Sequence, residues 1–133
     1  MTTSFLVIED NPANMELVRY LLTFSGYKVL LARDGQQGLD IALSERPDLI
    51  ICDLQMPRLD GYQVLEQLRS SGQGEQPIVI AVTAFSMPND RQKVLTAGFN
   101  GYISKPIEPE NFVSQIESFL PEHMRLPRPV PGH

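Results

Sequence analysis

Four short apolar runs of this chain each stop at residues that can handle a phosphoryl group or a metal ion. Phe5-Leu6-Val7-Ile8 stops at Glu9-Asp10, Leu49-Ile50-Ile51-Cys52 at Asp53, Ile78-Val79-Ile80-Ala81-Val82 at Thr83, and Tyr102-Ile103-Ser104 at Lys105. If the three acids meet, carboxylates about 4 Å apart repel by roughly 4 kcal/mol per pair at an effective dielectric near 20. A divalent, oxygen-seeking cation removes that conflict. Mg²⁺ takes one or two carboxylates, keeps several waters and accepts phosphate oxygens. Lys105 then offers a point charge to a second phosphoryl oxygen and Thr83 a hydroxyl donor to a third. A carboxylate can also attack phosphorus to form an acyl phosphate, and Asp53, at the end of the central run, is best placed to do so. Taken singly, each residue has a plainer role: a turn cap, solvated loop charges, a strand-end hydroxyl, a surface lysine. Only a shared edge makes them a site.

The runs read as parallel strands, joined by a fifth, Val29-Leu30-Leu31, that leads into plain loop. We label them β1 (near 5–8), β2 (29–31), β3 (49–52), β4 (78–82) and β5 (102–104). Between them the punctuation is helical. Asn11-Pro12 reads as an N-cap with proline at the first helical position, and Gly26 closes that helix. This predicts α1 over about 12–25. A second helix, α2 (35–45), is capped by Asp34 and ended before Pro47; α3 (62–70) follows Asp60-Gly61; α4 (88–97) ends at Gly98; α5 (109–120) opens on Pro109. Strands alternating with helices predict an α/β fold, a flavodoxin-like (βα)5 doubly wound parallel sheet with right-handed crossovers. The apolar β1, β3 and β4 should be covered on both faces. In such sheets ligands bind outside the carboxyl ends of the strands, where all the candidate residues lie.

With 133 residues the chain suits one domain, expected over 1–120. Residues 121–133, punctuated by Pro121, Pro127, Pro129 and Pro131, are expected to form a flexible, weakly packed tail. A net charge of −5 with scattered Lys and Arg argues against nucleic-acid and membrane partners. No run approaches the roughly 20 apolar residues that span a bilayer, and the start lacks a leader pattern, so a cytoplasmic location is expected. The single cysteine, Cys52, reads as a small buried hydrophobe. His123 and His133 have no partners at metal-ligand spacing. In α1, Leu17, Leu21 and Phe24 form one stripe, while Met15, Val18 and Leu22 widen the apolar arc beyond the roughly 100° a core-facing helix needs. Some of that arc is therefore expected to remain exposed, with Met15, Val18 and Leu22 helping to dock the helices of a phosphodonor; extra core packing is the alternative reading of the same three residues.

Together, Glu9-Asp10-Asn11, Asp53-Leu54-Gln55-Met56-Pro57 with Asp60-Gly61, Thr83-Ala84, Ala97-Gly98 and Lys105-Pro106 resemble the receiver domain of two-component response regulators. The resemblance spans residues 5–120. It implies strand order 2-1-3-4-5, with Asp53 as phosphoacceptor. It also implies Mg²⁺ held by Glu9, Asp10, Asp53 and the Gln55 backbone carbonyl, and Lys105 bound to the phosphoryl group. Thr83 and Tyr102 would be a switch pair, although an aromatic in a strand ordinarily serves packing. Pro106 would follow a cis peptide and join the docking surface. Gln55 and Phe85 occupy positions that tune phosphoryl lifetime, and a bulky Phe85 could shield the acyl phosphate from water.

The implied partners are a histidine kinase or histidine phosphotransfer protein upstream and a protein target downstream, met through α4–β5–α5 by a monomer or weak dimer. No separate substrate turnover is expected. Asp10-Asn11-Pro12-Ala13-Asn14 and Thr83-Ala84-Phe85-Ser86-Met87 are most similar to stand-alone regulators and to receivers of hybrid histidine kinases, so a hybrid-kinase receiver or phosphorelay intermediate is the alternative. A haloacid-dehalogenase-like phosphatase is more remote, because it wants a second acid where this chain has Gln55.

Overall fold

In the computed structural model, which describes residues 3–71, 76–84 and 87–126, the alternating pattern becomes five strands and five helices. The strands are β1 (Ser4–Ile8), β2 (Lys28–Ala32), β3 (Leu49–Asp53), β4 (Ile78–Thr83) and β5 (Gly101–Ser104). The helices are α1 (Pro12–Phe24), α2 (Gly35–Glu45), α3 (Gly61–Ser70), α4 (Pro88–Ala97) and α5 (Pro109–Glu117), with a 3-10 turn at Glu122–Met124. All neighbouring strands are parallel, in the order β2-β1-β3-β4-β5. The register aligns Ile8 with Cys52, Asp53 with Val82, and Thr83 with Ser104. The polar residues that end these strands therefore share one edge.

Side-chain alternation along the strands divides the core into two layers. Leu6, Ile8, Ile50, Cys52, Val79 and Ala81 face α2, α3 and α4, meeting Leu39, Val64, Leu65 and Val94. Phe5, Val7, Leu49, Ile51, Ile80 and Val82 face the other way, against Val18 and Leu22 of α1 and Phe112 and Ile116 of α5. The helix starts follow their caps. Asn11 Oδ1 accepts from the Asn14 amide at 3.0 Å, and Asp60 with Gln63 forms a capping box that starts α3 at Gly61.

Two expectations are corrected. Met15, Val18 and Leu22 are 8%, 2% and 0% exposed, so they belong to the buried face of α1 and are not available for docking. The helical wheel gives the width of the apolar arc but not which part of it meets the sheet; the path from β1 through the Asn11 cap sets the 15-18-22 row inward. The face left outside carries Tyr20 and Phe24, 57% and 81% exposed, with rings stacked at 5.9 Å. The second correction concerns the tail. Pro121 to Leu126 pack back under the amino end of the sheet, where Met124 and Leu126 contact the α1/α5 layer. Thr3 Oγ1 donates to the Met124 carbonyl at 2.5 Å and the Leu126 amide donates to Tyr27 Oη at 3.0 Å. Proline content describes local backbone preference and carries no information about these distant partners. Pro127, Pro129, Pro131 and His133 lie outside the described residues.

Candidate functional site

The edge predicted from residue type is assembled by the sheet. Asp53 ends β3 and is 4% exposed; Thr83 ends β4 and is 1% exposed; Glu9, 5% exposed, directly follows β1. Asp10 beside it is solvent-facing. One carboxylate oxygen from each of Glu9, Asp10 and Asp53 lies within 4.8 Å of the others. Lys105, on the residue after β5, brings its Nζ to 3.2 Å from Glu9 Oε1 and 3.3 Å from Asp53 Oδ2. Its backbone amide donates to the Thr83 carbonyl at 2.8 Å, which fixes the lysine against β4. The peptide between Lys105 and Pro106 is cis, as expected, and Pro106 is exposed.

Backbone amides complete the setting. The Gln55 amide donates to Asp53 Oδ1 at 3.1 Å, and the Asn11 amide to Glu9 Oε2 at 3.1 Å. The second contact was not evident from sequence, where Asn11 reads only as a helix cap; the Glu-Asp-Asn order was its one available signal. Gly61 matters for a different reason. A Cβ there would fall 2.6 Å from the Asp53 carbonyl oxygen, so glycine lets α3 begin directly against the strand end that carries Asp53. Thr83 borders a groove of about 560 Å³ between the β3–α3 loop and α4, shared with Gln55, Met56, Tyr62 and Lys93. Tyr102 is half-buried, its hydroxyl accepting from Ser104 Oγ at 3.3 Å. Phe85 lies outside the described residues.

The electrostatics show what the cluster lacks. Burial pushes the Glu9 carboxyl up to about 7, and its hydrogen bond with Asp53 and the Asp53 charge push the same way; the Asn11 amide and Lys105 act against them. For Lys105, burial works against the charged ammonium, but Asp53 and Glu9 outweigh it and the net direction is upward. One lysine therefore does not balance three acids, and the donor set, all oxygen, fits a hard divalent cation. Cys52, fully buried one residue earlier, has its thiol pushed far above the usual range by burial, then by Asp53. It packs, as its position inside an apolar run suggests.

A doubly wound parallel sheet with an oxygen-only acidic cluster and a lysine at its carboxyl edge defines a phosphoryl-handling domain of flavodoxin-like topology. The chain belongs to the response regulator receiver domain family, whose model matches residues 5–117. It is 41% identical over 120 residues to the polar-differentiation response regulator DivK of Brucella anthropi, covering 90% of this chain and 98% of that protein. Among solved structures, the chemotaxis response regulator CheY4 of Vibrio cholerae superimposes with a TM-score of 0.84 at 27% identity, covering 90% of this chain and all of that one. The receiver domain of the sensor histidine kinase PA1611 from Pseudomonas aeruginosa, with a magnesium ion coordinated in its active site cleft, has a TM-score of 0.79 at 33% identity, covering 90% and 98%. The protein is thus a two-component signalling receiver, and these likenesses lend no support to the phosphatase alternative. Among the described residues, no helix is long and apolar enough to cross a membrane.

Proposed function

We propose that Asp53 accepts a phosphoryl group from a phosphohistidine of a histidine kinase or phosphotransfer protein. The observation that carries this reading is the placement of the Asp53 carboxylate: buried, 3.3 Å from Lys105 Nζ and within 4.8 Å of the Glu9 and Asp10 oxygens. In the transfer, an Asp53 Oδ–P bond forms as the imidazole N–P bond breaks, and the bonding pair returns to the ring, which takes a proton from solvent. Lys105 moves with the phosphoryl oxygens and offsets their charge, so positioning and electrostatics supply most of the rate. Glu9, Asp10 and Asp53, with the Gln55 carbonyl, would hold Mg²⁺. Bound there, Mg²⁺ would act as a Lewis acid toward the phosphoryl group and relieve the crowding of carboxylates. The magnesium in the PA1611 receiver supports that choice of ion.

Phosphorylation then draws the Thr83 hydroxyl toward the new oxygens, and Tyr102 turns inward, biasing a two-state equilibrium that alters the α4–β5–α5 face for a downstream protein. The domain assists its own modification without turning over a separate substrate. Docking of the donor falls to Pro106 and to the outer face of α1, now Tyr20 and Phe24 in place of Met15, Val18 and Leu22. A cytoplasmic location suits such a donor. Likeness to the PA1611 receiver keeps a hybrid-kinase receiver as the second reading.

Intact mass after incubation with acetyl phosphate, and then with a phosphorylated histidine kinase, tests the reading. A Mg²⁺-dependent gain of one phosphoryl group that Asp53→Asn abolishes is expected. Equal uptake by Asp53→Asn would move the acceptor elsewhere, and failure with both donors would leave a phosphorylation-independent binding module.

A further inference from the structure

Of the five helices, α4 is held most lightly. Val94 is the one buried residue among its ten, against three in α1 and four in α5. Its two flanks are instead fastened by cations on rings. Arg91 Cζ lies 5.5 Å from the centroid of Tyr102 on β5, and Lys93 Nζ lies 5.2 Å from that of Tyr62 on α3. Tyr62 is itself fixed edge-on against Phe99 at 5.7 Å. The two fastenings differ in what they stand on: Tyr62 is braced by a second ring, whereas Tyr102 is the proposed switch residue.

Arg91 also has a particular position along the helix. Met87, Arg91 and Leu95 recur at i, i+4 and i+8, which aligns them on one face. Met87 and Leu95 are 68% and 44% exposed, two of the five large hydrophobic side chains that the described fold leaves outside. A guanidinium between two exposed apolar side chains is the composition of an interface centre, where Arg is enriched and its planar fork matches a carboxylate. In the structure that fork rests on the Tyr102 ring.

We infer that Arg91 is a docking residue whose availability is set by Tyr102, and that its target is an acidic residue flanked by apolar side chains on a partner protein. The inference rests on the proposed reading of Tyr102 as a switch. With the ring beneath it, the guanidinium is engaged within the domain; when the ring turns inward, Arg91 is presented between Met87 and Leu95 to an incoming carboxylate. Lys93 on the braced Tyr62 keeps the other flank of α4 in place. An extended anionic surface is a poorer match than a single carboxylate, because the chain carries a net charge of −5. Asp90 lines the groove on the Tyr62 side and does not compete for Arg91 along the stripe. An exposed cation–π contact is modest, so its release corresponds to roughly a two- to five-fold gain in affinity.

The test uses a synthetic amphipathic Leu/Glu peptide, titrated by fluorescence anisotropy into the full chain before and after phosphorylation, with amide NMR signals of Thr83 and Tyr102 followed in parallel. Phosphorylation should tighten binding two- to five-fold. Tyr102→Leu should bind at the tighter level in both states, Tyr102→Phe, which keeps a ring under Arg91, should start at the weaker one, and Arg91→Gln should bind weakly throughout. If Tyr102→Leu binds no better than the native protein while phosphorylation still moves the Tyr102 signals, the masking role of the ring is wrong and the switch reading stands. If phosphorylation leaves those signals unmoved and binding unchanged, the switch reading fails and takes phosphorylation control of Arg91 with it. Tighter binding to phosphatidylserine vesicles than to the peptide would overturn the assignment of an acidic protein partner.

Discussion

The two ends of the parallel sheet are assembled on opposite electrostatic terms. At the carboxyl end, oxygens of Glu9, Asp10 and Asp53 crowd within 4.8 Å with Lys105 as the cation between them. At the amino end, polar groups answer one another: Tyr27 Oη donates to the buried Glu117 Oε2 at 2.5 Å and accepts from the Leu126 amide, Asp48 Oδ2 accepts from the Ser4 amide at 2.8 Å, and Thr3 holds the Met124 carbonyl. Residues 118–126 lie beyond the stretch matched to the receiver family, yet 121–126 help to close this end. The difference teaches where the domain keeps stability and where it gives it up. A cluster of crowded carboxylates is unfavourable on its own, and the opposite end of the same strands supplies compensating contacts.

That contrast can be broken from either side. Ending the chain at Leu120 removes the turn, its hydrogen bonds and the packing of Met124 and Leu126, and should lower unfolding free energy by about 3 kcal/mol in urea titrations. Phosphoryl uptake should be unchanged. Equal stability of the shortened chain would mean that the amino end is not where the compensation lies. Replacing Lys105 with Met should do the reverse, slowing uptake from acetyl phosphate by about 100-fold, the range seen when one transition-state charge partner is removed, while the protein stays folded by circular dichroism. Uptake within a few-fold of native would remove Lys105 from the chemistry.

The third expectation sharpens the electrostatic side. Glu9 is raised from 4.5 to about 7 in the folded state, so between those values the native protein binds more protons than the unfolded chain. Without divalent cation, stability should be greatest below about pH 4.5 as far as Glu9 is concerned and fall as pH rises through 7, by about 1–2 kcal/mol after allowing for solvent screening. Glu9→Gln should flatten that slope, and added Mg²⁺ should stabilise most above pH 7. A Glu9→Gln profile with the native slope over this window would show that the conflict lies elsewhere.

Much of this molecule was legible in the chain itself. The strands announced themselves as apolar runs because β1, β3 and β4 are covered on both faces, and the site residues because few side chains suit a hard cation and a phosphoryl group. α5 proved shorter than expected, ending at Glu117 where Pro109 to Leu120 had read as one helix, because Ser118 caps it and Leu120 turns into the core. The rotation of α1 was not legible: six apolar residues on one helix leave two rows equally regular, and only the sheet chooses between them. Nor was the amino end, since Tyr27 meets Glu117 and Leu126 across separations of 90 and 99 residues and no local pattern announces either partner. Asp53 and Lys105 are also far apart in the chain, yet strand ends are readable and their meeting place follows from the fold.

Cys52, the only cysteine of the chain, is sealed within β3 immediately before Asp53. A thiol-alkylating reagent can therefore reach it only when this central strand opens, and its slow labelling is a built-in clock on that opening. The native protein thus needs no added probe to report whether a cation or a phosphoryl group tightens the strand that carries it. A labelling rate that slows when Mg²⁺ is added, in proportion to the gain in unfolding free energy, would mean that the site and the centre of the sheet open as one cooperative unit. A rate that slows less would mean that the edge frays on its own.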